Sequence, residues 1–150
     1  MLRTRSIALA TAAAAVASIV LMPSTAQAAG SVHLYKIYYD SPGTDRGANS
    51  SLNAEWVQVR NTTGAAVNLR GWTLRDAAGH VYTFGAYTLA KGATVTVRTG
   101  KGTNTSTNRY WGRTWYVWNN DKDAATLKRA NGTVADTCSY NSTAYDYKLC

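Results

Sequence analysis

Short alternations of apolar and polar residues, each closed by a turn signal, run along this chain from about residue 32 onward. Residues 32–39, 54–60, 71–76, 81–84, 94–98, 125–129 and 134–140 all read this way. Pro42-Gly43, Ala77-Ala78-Gly79, Lys91-Gly92 and Asn131-Gly132 punctuate them, and Asn-Gly between two alternating runs is a two-residue hairpin signal. No apolar period of 3.6 residues holds for a useful length, so a helical domain is excluded. The count is about eight or nine strands at the 8–12-residue spacing of an all-β antiparallel sandwich. Composition agrees. Ten Tyr and five Trp stand beside a single glutamate, Glu55, which is strand and turn vocabulary. With 45% hydrophobic and 16% charged residues, a disordered chain, a collagen and a coiled coil are also excluded.

Residues 1–28 are read apart from the fold. Arg3 and Arg5 precede an alanine-rich apolar run over residues 7–22, and small residues end in Ala26-Gln27-Ala28. This is the layout of a secretory signal peptide, with cleavage after Ala28. The apolar run has 16 residues, short of the ~20 that a membrane helix needs, so no span is expected after cleavage. The expected product is a secreted, extracellular domain of residues 29–150, carrying a net charge of +6. A chain of this size can bury one core unaided. The only cysteines, Cys138 and Cys150, are expected to form a disulfide in an oxidising compartment.

Strand periodicity names a core. Val57 and Val59 share one face, as do Trp72 with Leu74 and Val95 with Val97. Trp56 falls opposite Val57, so it either caps the sheet or is exposed. In residues 32–39 the same rule puts Val32, Leu34, Lys36 and Tyr38 on one side. His33, Tyr35, Ile37 and Tyr39 take the other.

The order of the blocks carries more than any one of them. Glu55-Trp56-Val57-Gln58-Val59-Arg60-Asn61 is followed by Gly71-Trp72-Thr73-Leu74, then Tyr82-Thr83-Phe84, Tyr87-Thr88-Leu89 and Lys91-Gly92-Ala93-Thr94-Val95-Thr96-Val97. Val117-Trp118-Asn119-Asn120 and Ala125-Thr126-Leu127 close the series. The series resembles the lamin tail domain, over about residues 32–140. The resemblance implies an immunoglobulin-like sandwich, and it is nearest to exported bacterial members without assigned chemistry. It assigns Trp118 to the core. It implies a non-catalytic binding or structural module at or outside the cell surface. Fold alone does not give function.

The residues offer little chemistry. No nucleophile elbow, zinc-protease helix or phosphate loop occurs. His33 and His80 lie far apart, His33 as a surface or edge residue and His80 solvated after a turn glycine. A secreted hydrolase would need an unrecognised site, so an enzyme is not expected. Glu55 is expected to form structural hydrogen bonds. No cofactor is expected. Calcium, which takes six to eight oxygens, is the one candidate ion, with Asp40, Asp45, Asn49 and Asn53 around one polar loop and Asn119, Asn120, Asp121 and Asp123 in another. These residues equally form turns through their own backbone bonds, and that reading is favoured.

The richest patch is residues 109–118, with three Trp, two Tyr and two Arg in ten positions. Arg109, Tyr110, Trp111, Arg113 and Trp115 are the candidate ligand-binding residues, as an aromatic platform with flanking charge. Filling the sandwich is the competing use. Read as a strand, the segment puts Trp115 with Val117 on one face and Tyr116 with Trp118 on the other. The net charge suits a protein partner or an anionic or polysaccharide polymer. No basic run exceeds two residues and no motif reads bases, so sequence-specific nucleic-acid binding is not expected.

Overall fold

A computed structural model describes residues 29–150; the signal peptide reading lies outside the described residues. Among the described residues, eleven strands and one short helix follow in chain order. They are β1 (Val32–Tyr38), α1 (Asn49–Ala54), β2 (Trp56–Asn61), β3 (Val67–Asn68), β4 (Thr73–Arg75), β5 (Val81–Thr83) and β6 (Thr88–Leu89). Then come β7 (Thr94–Arg98), β8 (Asn108–Tyr110), β9 (Lys122–Lys128), β10 (Val134–Asn141) and β11 (Tyr147–Leu149). One sheet has the order β11-β1-β2-β7-β8, the second β10-β9-β4-β5, and β3 and β6 make a small third pair. No helix among the described residues is long and apolar enough to cross a membrane.

The core lies between the two large sheets. Ile37, Val57, Val59, Val95 and Val97 face inward from one, and Leu74, Tyr82, Ala125 and Leu127 from the other. Trp72 also joins this cluster. Asn61, last in the pattern that begins at Glu55, is fully buried. Its side-chain amide donates to the carbonyls of Ala65, Leu89 and Ala90, while its oxygen accepts from Thr63. One side chain thus ties the end of β2 to the turn at Ala65 and to the end of β6.

Four details differ from the periodic reading. A bulge between Leu34 and Lys36 shifts the β1–β2 register. Val32 and Leu34 are buried before it and Ile37 and Tyr39 after it, so Lys36 and Tyr38 leave the inner face. One extra residue reverses every following side chain. The β7–β8 pairing is parallel, unlike all the others. The long polar loop after β1 ends in the helical turn α1. The Asn131-Gly132 connection has three residues, not two: Arg129 N–H bonds the Thr133 carbonyl, with Gly132 at φ 84°, the geometry that favours glycine there.

β10 is long and lies at a sheet edge, where free strands invite mispairing. Here the edge is tied down. Asp136 accepts a hydrogen bond from the Leu34 N–H of β1, and Cys138 on β10 is disulfide-bonded to Cys150 just after β11.

Candidate binding site

Residues 115–118 are not a strand. The residue that shapes them is Glu55, which is fully buried. Its Oε1 accepts from the Thr99 hydroxyl at 2.6 Å and from the Val117 N–H at 2.9 Å. A side chain therefore stands where a neighbouring strand would otherwise pair with this segment, as the structural role expected of Glu55 requires. Burial pushes the carboxyl up to about 7, against the pull of the bonds from Thr99, Val117 and Trp118. With the backbone pinned this way, strand alternation fails. Val117 and Trp118 are both buried, and Trp115 is 58% exposed rather than sharing the Val117 side.

The structure separates the five candidate residues. Trp111 is half-buried, 5.8 Å from the Tyr82 ring and edge-on to Trp118 at 6.2 Å. Arg109 also turns away from solvent. Its guanidinium lies 4.4 Å over Tyr87 and donates to the Ala86 carbonyl, and its Nε is buried without a partner. Burial raises the Tyr82 and Tyr87 hydroxyls, and Arg109 opposes both shifts. Arg109 and Trp111 thus close one side of the sandwich. Tyr110 lies across Gly102, where an added Cβ would sit 2.4 Å from the ring. A side chain at this position would have to displace the ring.

Trp115 and Arg113 remain at the rim. The Trp115 ring packs on Gly47, at φ 72° and 2.7 Å from where a Cβ would stand, and meets Tyr116 edge-on at 5.5 Å. Arg113 borders a pocket of about 260 Å³ together with Lys101, Asn49 and Leu52. No flat platform joins Trp111 to Trp115, because one packs on the core and the other on Gly47.

The oxygen-rich turns are occupied by bonds of their own. Asp123 accepts from the N–H groups of Ala77, Ala124 and Asn119, and Asp121 from that of Lys122. Asp45 accepts from Ser41 and Asn120. Asn49 and Asn53 both donate to the Lys101 carbonyl. Asp40 is raised by burial, then by Asp146 and Asp45. Among the described residues no three His, Cys, Asp or Glu side chains converge as a metal site.

The histidines divide the parts of a hydrolytic site between them. His80 is not simply solvated: its Nδ1 lies 2.6 Å from the buried carboxylate of Asp76. The Asp76 side chain needs a donor there, because the turn backbone satisfies only its other oxygen. His33 Nδ1 instead meets the Ser31 hydroxyl at 3.1 Å. Neither histidine bridges a carboxylate to a hydroxyl, as the middle member of a Ser–His–Asp triad does.

Charge separates by depth. Glu55, Asp76 and Asp123 are buried, and only Asp121 and Asp146 among the acids are exposed. Among the described residues no lysine or arginine nitrogen lies within 4.0 Å of a carboxylate; the one acid–base contact is His80–Asp76. The lysines and arginines of the described residues are therefore not locally paired with carboxylates. Sequence counting misses this, because it cannot tell a carboxylate spent on backbone N–H groups from one that faces water.

The family model for the lamin tail domain matches residues 25–142. No curated protein matches the chain.

Proposed function

Because the chain belongs to the lamin tail domain family, an immunoglobulin-like fold, we propose that it is an exported, non-catalytic module that binds an anionic polymer at or outside the cell surface. The observation that carries this reading is the set of surface lysines and arginines with no carboxylate partner. Unpaired cations exert a long-range field that intramolecular ion pairs would cancel. They also release counterions when they meet a polyanion. The basic, apolar, small-residue leader at residues 1–28 supports export, and the Cys138–Cys150 disulfide suits an oxidising compartment.

The test is co-sedimentation of the purified protein with isolated cell walls of its source. Retention at low salt that falls steeply as salt rises is the expected result, since exposed charge is screened. Absence of retention at low salt would remove the polymer reading.

A further inference from the structure

The outer face of the five-stranded sheet collects side chains that are scattered in sequence. Cross-strand pairing places Tyr147, Tyr38, Trp56, Arg98 and Tyr110 in one row spanning all five strands. Trp56 and Tyr38 stack at 5.3 Å and 25°, and Tyr38 and Tyr147 at 6.3 Å and 18°. A second row, alongside, runs Lys36, Gln58, Thr96 and Asn108. Neither row contains a carboxylate. Asp146 touches the first at its rim, accepting a 3.5 Å bond from the Tyr38 hydroxyl.

The cations here rest on rings. Lys36 Nζ sits 3.8 Å over Tyr147, and the Arg60 guanidinium 5.1 Å over Tyr35. Neither side chain makes a salt bridge. Ring contacts hold a cation in place without neutralising it, so the face presents oriented positive charge that no salt bridge cancels, with Asp146 and Asp40 near its Tyr38 end. Tyr35 and Tyr147 remain 38% and 42% exposed.

We infer that this face is the docking surface for a linear acidic polysaccharide, a polyuronate in chemical class. The inference rests on the polymer reading above and gives it a site. Charge complementarity requires an anion. Gln58 donates to the Thr96 hydroxyl and Asn108 accepts from Arg98, and the lone pairs and protons these polar groups keep, beside the tyrosine hydroxyls, suit a chain dense in hydroxyl groups. A single-stranded nucleic acid fits less well, because its bases need open ring faces. Trp56, Tyr38 and Tyr147 already stack on one another, and Lys36 covers Tyr147.

The experiment measures binding of the purified protein to polygalacturonate, with its methyl-esterified neutral form as counter-probe. The parent protein binds the acid and not the ester. Combining Lys36→Gln with Tyr147→Ala weakens binding about tenfold, as loss of a central anchor does. Lys91→Gln, which removes the same charge from an exposed turn, changes it less than about twofold by the same scale. Lys36→Gln alone, a surface change, repeats the direction if the double variant folds poorly. Equal binding by the parent and by Lys36→Gln would overturn the assignment of the face while leaving wall retention intact. Wall retention without polygalacturonate binding would overturn the ligand class. Tighter binding of a single-stranded oligonucleotide, lost in the same variants, would also overturn it. Failure of both wall and polygalacturonate binding would overturn the underlying polymer reading.

Discussion

Residues 109–118 and the outer face of the five-stranded sheet use similar side chains in opposite ways. The first group is contiguous in sequence and divides in space. Arg109 and Trp111 pack toward the core, Val117 and Trp118 are buried in it, and Trp115 stays at the rim. The second group comes from β1, β2 and β11 and converges into one stacked row. Aromatic density in sequence is therefore a poor guide to an aromatic surface. Backbone pairing decides which rings meet. In the first region a buried carboxylate replaces pairing, and neighbouring residues point the same way. In the second, ladder register aligns residues over a hundred positions apart.

The sharpest break of this contrast is Trp118→Ala. If the inner half of the segment is core, the substitution costs about 3–5 kcal/mol in denaturant unfolding. A cost near that of an exposed residue would return Trp118 to the surface.

Glu55 gives the next largest effect. Its native carboxyl titrates near 7 and its ordinary value is 4.5, so between these values the native state holds more protons than the unfolded chain. Its contribution is fully present below 4.5 and is lost as pH rises through 7, a loss of about 3 kcal/mol. Glu55→Gln should flatten that slope in melts from pH 4.5 to 7.5. An unchanged slope would show that another group governs it.

Reduction or Cys150→Ser removes the tie between β10 and the end of β11. Closing the loop between these cysteines stabilises by about 3 kcal/mol on chain-entropy grounds, and less where the unfolded chain retains structure. Hydrogen exchange should then rise first in β11, which bears Tyr147. Uniform exchange across the domain would show that the row does not depend on the staple.

The smallest effect sharpens the comparison from its exposed ends. Tyr147→Ala should cost about 1 kcal/mol, the scale of a cross-strand pair with a cation–π contact. Trp115→Ala should stay within about 0.5 kcal/mol, as surface changes do. A larger loss at Trp115 than at Tyr147 would reverse the reading of the two regions.

Much of the architecture was legible without coordinates. Alternation and turn chemistry are local, so the sandwich class and the inward valines Val57, Val59, Val95 and Val97 could be read directly, as could Trp72 and Leu74. The ordered blocks from Glu55 to Leu127 identified the family, because each block makes one strand or one loop-closing side chain. Tyr147–Leu149 carried no such signal. It is only three residues long, and its strand exists because β1 offers an edge and the disulfide holds it there.

The sequence by itself determined the fold class, the cysteine pair, the core positions of the regular strands and an excess of positive charge. Each follows from composition or from periods of a few residues. Tertiary structure alone decided the β1 bulge that turns Lys36 and Tyr38 outward, the burial of Glu55 that breaks the alternation around Trp115, and the pairing of acids with backbone rather than with lysine or arginine. These outcomes depend on which distant groups arrive beside a residue. A one-residue shift in register or one buried carboxylate outweighs local preference, because an unpaired backbone group inside the domain costs more than a side chain's choice of face.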